Sequence, residues 1–542
     1  MSQQRTVHTE TTDVVVVGFG AAGTSAAITA REQGAEVIAL DRGNGGGATA
    51  ISGGIIYAGG GTAVQQQAGE ADTPEQMLDY LRLEVGDAVS RETLERFVRT
   101  SPEMIDWLQR HGVPFDSSAC PYKTSFPNNR YYLYHSGSEN AGAFRSKTPP
   151  VRRGHRAKGR GTSGKKIYAP LADSAQRLGV EFRPHTRVTR LLQDASGRVT
   201  GVEATTMNQA PQRIRRRCTR LAAWSTKPGV YYPPLRKAMD RRLAKLEARY
   251  GRPIRIIARR AVIISAGGFI ANPAWRERYA PEFVHGLPLG TSGDDGSGIA
   301  LAESAGAVTA HMDNVSVWRF ITPPSAFMSS IVVDAHGQRI IDESRYGAAL
   351  GRAMVKDHGG QGWILADAAL MAEAKRQLLT QTLWFQRAQA AALMFAAARG
   401  SSLAEVARKA GIDAEGLQAT VKAHNDAIDS RTADPVGKPA DFCRRIDKAP
   451  FTLMNISVRP NLLYPTPMLT LGGVRVAEDT GAVLDAAGRA IPGLFSAGRT
   501  AVGICSQSYV SGLSIADCVF SGRRAGTSAG KAINRHDEPA KT

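Results

Sequence analysis

Between Asp13 and Asp41 the apolar positions change their period twice. Asp13 to Val17 reads DVVVV, a β-branched run that predicts a strand covered on both faces of a parallel sheet. It runs into Gly18-Phe19-Gly20-Ala21-Ala22-Gly23, and TSAAITAREQG then predicts a helix closed by Gly34. Glu36 to Leu40 predicts the next strand, ending at Asp41. Much later, SSLAEVARKAGIDAEGLQATVKAHNDAIDS predicts two short amphipathic helices around Gly411. GRVTGVEAT and RRAVIISAGG predict two strands of a hairpin, with roughly fifty residues inserted at its tip, where exposed turns accept insertions. Within the insert, Leu235, Met239, Leu243, Leu246 and Tyr250 recur at helical spacing and form one apolar stripe.

Strand, Gly-x-Gly-x-x-Gly, helix, strand and acid, in that order, point to a dinucleotide. Gly18 allows the tight turn, Gly20 a close approach of backbone to pyrophosphate, and Gly23 close packing of helix on strand. Asp41 is placed to accept hydrogen bonds from a ribose diol. A second glycine-rich stretch, Gly43 to Thr62, would bring backbone and the hydroxyls of Thr49 and Ser52 near a flat ring. Ala266-Gly267-Gly268 and Gly498-Arg499 close two later strands.

Charge changes the picture locally. The formal net charge is +19, but residues 208–260 hold sixteen Lys/Arg against Asp240 and Glu247, a net +14. Such localised basicity argues against nucleic acid as the general partner. Trp224, Tyr231 and Tyr232 precede the basic helix. Two readings stay open for residues 208–257: a surface for anionic lipid, or a helix packed on its own domain or on another copy of the chain. On either reading, an add-on to a finished hairpin is expected to contribute little to the cofactor site. With 42% hydrophobic and 22% charged residues, the chain is an ordinary globular one. The polar opening MSQQRTVHTETT shows no secretory leader. Cys120, Cys218, Cys443, Cys505 and Cys518 form no C-x-x-C pair. The expectation is no metal site and a reducing, cytoplasmic location, peripheral on the inner membrane face if the insert meets lipid. Cys505 and Cys518 are expected to be buried small hydrophobes.

The order DVVVVGFGAAG, ATAISGG, AVIISAGGF, GDDGSGIALAESAGA, TLGGVRV and IPGLFSAGR resembles the fumarate reductase/succinate dehydrogenase flavoprotein superfamily, over nearly the whole chain apart from the basic segment. The resemblance implies an α/β fold: a Rossmann-like FAD-binding domain (1–310 and 448–542) with an inserted α+β cap (311–447) and the basic insertion (208–260). It implies FAD held by Gly18, Gly20, Ala21, Ala22, Gly23, Asp41, Arg42, Thr49, Ser52, Gly53 and Gly54. Val188, Ala266, Gly267, Gly268, Gly498, Arg499, Ser514 and Ile515 complete the set. No His stands beside ATAISGG, so the flavin is expected to be non-covalent. The helix from Ser514 is expected to aim its N-terminus at the flavin's pyrimidine end.

Fumarate reductases of this superfamily carry an Asn-Arg carboxylate clamp near the C-terminus. Here GICSQSYVSGLSIADCVFSGRRAG has Tyr509-Val510-Ser511-Gly512 and no arginine before Arg523. Tyr-x-Ser-Gly resembles the 3-ketosteroid Δ4-(5α)-dehydrogenases, and Ser511 and Leu513 stand where the Δ1-dehydrogenases have glycines. By that resemblance Tyr509 donates to a C3 ketone oxygen, Ser511 removes the 4β proton, and Tyr346, in GQRIIDESRYG, passes it on. Gly512, Tyr132 and Tyr134 are substrate-contact candidates, the last two from the aromatic group NNRYYLYHS. Electrons would leave to an external acceptor. The competing readings are a Δ1-dehydrogenase, an ene-reductase on another conjugated carbonyl, and a binding protein on a degenerate flavoenzyme frame.

Overall fold

The computed structural model describes residues 8–461 and 464–532; positions 1–7 of the polar opening and 533–542 of the closing segment lie outside them. The strands are β1 (His8–Val17), β2 (Val37–Leu40), β3 (Ile55–Tyr57), β4 (Leu133–Tyr134), β5 (Gly154–Arg156), β6 (Glu181–Arg183), β7 (Thr186–Gln193), β8 (Val199–Thr206) and β9 (Arg252–Ile264). β1 lies inside an eight-stranded sheet between β2 and β9, both parallel to it. β6 flanks β2, and the strand Ala490–Ser496 runs parallel to the end of β9. Val14, Val15, Val16 and Val17 are buried, as a strand covered on both faces requires.

β1 begins five residues before the apolar run. His8 to Thr12 pair in register with β9, so backbone bonding carries the strand through polar side chains that the apolar pattern could not reveal. Asp13 stands at a bulge, accepting from the Glu36 backbone N–H at 2.9 Å and from Arg259 Nε at 2.7 Å. The predicted helix spans Ala21–Glu32 and packs against the closing helix Leu513–Lys531 through small side chains: Ala22 and Ala26 on one side, Ala525 and Ala529 on the other, all buried.

The cap carries an antiparallel sheet in the order Ile331–Val333, Trp363–Ala366, Phe451–Asn455, Ala398–Gly400. The two amphipathic helices are present at Leu403–Ala410 and Ala414–Asp429, with Gly411 in the left-handed region at φ +72°. Phe451–Asn455 pairs with Trp363–Ala366, so this sheet takes one strand from beyond residue 448.

The insert does sit at a hairpin tip, since Thr206 of β8 pairs with Arg252 of β9. It folds as two helices, Gln212–Thr226 and Pro233–Tyr250. Its apolar stripe turns inward: Leu243, Leu246 and Tyr250 pack on buried Met207, Ala210, Ile214 and Cys218. Of the two readings left open, packing within the protein accounts for that stripe. No helix among the described residues is long and apolar enough to cross a membrane.

Candidate active site

The glycine turn is dictated by space. Gly18 has φ +96°, and a Cβ there would lie 2.5 Å from the Ser265 carbonyl oxygen; one at Gly23 would lie 1.9 Å from that of Gly18. At Gly20, by contrast, nothing would come nearer than 3.7 Å, so its face is open. Gly20 gives the helix beginning at Ala21 no side-chain cap, and among the described residues only its first N–H, that of Ala21, is taken by a side chain, donating to Thr49 Oγ1 at 3.1 Å. Asp41 accepts from the Phe19 N–H at 3.0 Å and the Gly43 N–H at 2.7 Å, so its carboxylate is held beside the turn.

These groups border one continuous cavity of about 920 Å³. It runs from Gly18, Gly20, Ala21, Ala22, Asp41 and Arg42, past Thr49, Ser52, Gly53 and Gly54, to Tyr346, Tyr509, Ser511 and Gly512. Val188, Ala266, Gly267, Arg499, Ser514 and Ile515 also line it. Gly23, Gly268 and Gly498 do not. They are packing glycines: a Cβ at Gly268 would stand 2.5 Å from Thr470 Oγ1, and one at Gly498 2.8 Å from Ala22 Cβ.

At the far end, aromatic rings form a box. Trp318 stacks on Tyr509 with centroids 5.4 Å apart and planes 22° apart; Phe320 lies 5.4 Å from Tyr346, and Tyr346 6.3 Å from Tyr509. Burial raises the Tyr509 and Tyr346 phenols above their ordinary range, so both are protonated donors at neutral pH. Tyr509 and Ser511 line the same cavity.

Tyr132 and Tyr134 do not line the cavity. Tyr132 sits under Arg156, whose guanidinium lies 5.1 Å from its ring centroid, and its hydroxyl donates to Gly159 O at 3.3 Å. Tyr134 is fully buried behind Ser511 and donates to its Oγ at 3.2 Å. The pattern gave no way to separate them: β4 is only Leu133–Tyr134, too short for alternation to mark a face.

Three arginines line the cavity, and each already holds a carboxylate: Arg42 with Asp295 at 2.5 Å, Arg187 with Glu247 at 2.7 Å, and Arg499 with Asp294 at 2.6 Å. Among the described residues, each arginine of the lining thus has a carboxylate partner. The other Arg499 terminal nitrogen, Nη1, is buried without a protein partner. Gly512, at φ +90°, starts the closing helix with no side-chain cap, so a second helix N-terminus opens on the cavity. Two open helix starts, an open glycine face, an acid beside the turn and an orphaned guanidinium nitrogen suit an elongated, phosphate-bearing flavin dinucleotide; the residues present fit FAD.

The sequence reading missed two features. Trp318 and Phe320 were not among the candidate residues. The insert, expected to be remote, walls the dinucleotide end: Cys218, Ala222, Leu243 and Glu247 line the cavity. Asn44 Nδ2 donates to Thr219 O at 3.0 Å, and Arg236 Nη2 to Gly290 O at 2.6 Å, which pins both helices over it. Cys505 is buried as expected, whereas Cys518 is half-buried and lines the cavity; burial pushes its thiol up to about 12.

The sequence pattern of the FAD binding domain family matches residues 13–512. The chain is 38% identical over 504 residues, 90% of its length and 92% of the relative's, to the 3-oxo-5-alpha-steroid 4-dehydrogenase of Comamonas testosteroni. It is similar, with a TM-score of 0.81 and 30% identity over 97% of this chain and 98% of the other, to the crystal structure of 3-ketosteroid-delta4-(5alpha)-dehydrogenase from Rhodococcus jostii RHA1 in complex with 4-androstene-3,17-dione. The 3-oxosteroid 1-dehydrogenase of Mycolicibacterium smegmatis is more distant, at 24% identity over 92% of this chain and 93% of that one.

Proposed function

The chain belongs to the FAD binding domain family and binds FAD, and from that premise we propose that it dehydrogenates 3-keto-5α-steroids, introducing a C4–C5 double bond. The observation that carries this reading is the pairing of Tyr509 and Ser511 on one wall of an aromatic cavity whose arginines are all occupied by carboxylates. That wall suits a flat, uncharged ketone. The 38% identical relative, a 3-oxo-5-alpha-steroid 4-dehydrogenase, supports the same substrate class.

The Tyr509 phenol donates to the C3 oxygen and stabilises the enolate that develops there, which also acidifies the C4 protons. Ser511 Oγ receives the 4β proton. A serine hydroxyl is a weak base unless its own proton leaves as the new one arrives, and phenol oxygens stand beside it for that transfer. Tyr134 holds Ser511 Oγ from behind, and Tyr346, which lines the cavity, passes the proton towards solvent. Trp318 and Phe320 exclude water from the reacting carbons. Bound FAD supplies the acceptor for the 5α hydride, and its electrons go on to an external acceptor. The test is anaerobic mixing of the flavin-loaded protein with a 3-keto-5α-steroid and, separately, with succinate. Loss of the yellow absorbance with the steroid alone is expected; bleaching by succinate alone would overturn the reading.

A further inference from the structure

The largest apolar side chains left in water are gathered, not scattered. Trp384 is 81% exposed, Phe395 87% and Leu379 70%. Trp384 and Phe395 begin and end one helix, about three turns apart and on the same face. The exposed positions between them on that face are Ala388 and Ala391, so the outer stripe reads Trp, Ala, Ala, Phe with no polar residue. A helix that only covers a core puts polar residues on its outer face. Leu379, at the end of the preceding helix Ala368–Gln381, adds to the patch.

A second exposed aromatic group, Trp224, Tyr231 and Tyr232, stands at the turn joining the two insert helices. Hydrogen bonds join the two groups along one edge. Lys227 in that turn donates to Thr162 Oγ1 at 3.1 Å, and the Gly161 N–H to Asn129 Oδ1 at 2.9 Å. Asn128 Nδ2 then donates to Thr380 O at 2.7 Å, and Gln386 Nε2 to Phe126 O at 3.1 Å. Arg130, Arg160, Lys165 and Lys227 are exposed along the same edge. Phe126, Lys165 and Lys227 also line the cavity, so this rim borders its mouth.

We propose that the rim is a docking surface for an anionic lipid bilayer. Charge selects that occupant: the exposed cations Arg130, Arg160, Lys165 and Lys227 on this edge stand beside Trp and Tyr, side chains with an apolar body and a polar tip suited to the headgroup layer. A second copy of the chain would set like charges against each other. The stripe inside the insert takes no part, because it is packed on its own helices. The use of this surface to take apolar substrate from the membrane rests on the proposed reaction; the lipid contact does not.

The test is flotation of the full-length holoprotein with substrate-free vesicles of phosphatidylcholine alone or with phosphatidylglycerol. Wild type is expected to float with the anionic vesicles, more weakly at high salt. W384Q/F395Q is expected to partition at least tenfold less while keeping its flavin absorbance and melting temperature. Flotation of both proteins alike would overturn the proposal, as would failure of wild type to float. A wild-type dimer in analytical ultracentrifugation that W384Q/F395Q dissolves, without lipid binding by either, would overturn it too. Vesicles without steroid keep this outcome separate from the assignment of the reaction.

Discussion

At the scale of single residues, the account gives three hydroxyls different duties. Tyr509→Phe removes the donor to the developing enolate oxygen and is expected to lower kcat by ~10²–10³-fold, the usual loss for one such donor, with flavin binding unchanged. Ser511→Ala removes the proton acceptor; a loss of ~10²-fold or more is expected in anaerobic flavin bleaching by the steroid. Tyr134→Phe should act more mildly, because Tyr134 touches Ser511 and not the cavity: kcat falls and its pH profile shifts, while KM stays. A change in KM alone would return Tyr134 to the role of substrate contact. The motif residues were legible because each demand is local, as at Gly18, where any side chain strikes Ser265. Trp318 and Phe320 were not, because an aromatic just after a short strand such as Val315–Val317 carries the same pattern whether it faces core or ligand. That Tyr132 and Tyr134 lie outside the cavity lining was hidden for a related reason: the strand here is only Leu133–Tyr134, too short to display a period.

Among elements, the basic insert departs most from expectation. Its helical period and hairpin setting could be read directly, since both follow from neighbouring residues. What the two helices cover depends on distant partners, Asn44 and Gly290, which no local pattern identifies. Their place over the dinucleotide end makes a prediction. Replacing residues 208–250 by a short turn between Met207 and Gly251 should leave the sheet intact, because Thr206 and Arg252 are already paired. Flavin release, followed by the rise of free-flavin fluorescence on dilution, should speed at least tenfold. An unchanged rate would restrict the insert to a surface role.

For the whole molecule, buried imidazoles set an acid limit. Burial holds His155 down to about 4 and His135 down to about 3. His155 lies between Thr62 Oγ1 at 2.8 Å and Arg153 O at 3.0 Å. Both folded values lie below the ordinary ~6.5, so the unfolded chain binds more protons in between. Their stability is therefore fully present above pH 6.5 and lost as pH falls towards 4, by about 3 kcal/mol for His155 at the order-of-magnitude level. Melting temperature should drop between pH 6.5 and 4.5, and H135Q/H155Q should flatten that slope; an equal slope in the variant would assign it to other groups. At this scale the two-part architecture was readable from the order of motifs, whereas the pairing of Phe451–Asn455 with Trp363–Ala366, far apart in sequence, was not. The central claim, a 4,5-dehydrogenation directed by Tyr509 and Ser511, is tested most directly by product analysis with a 3-keto-5α-steroid deuterated at C5. The account predicts a 4-ene product that has lost the label; a 1-ene product retaining the 5α deuterium would contradict it.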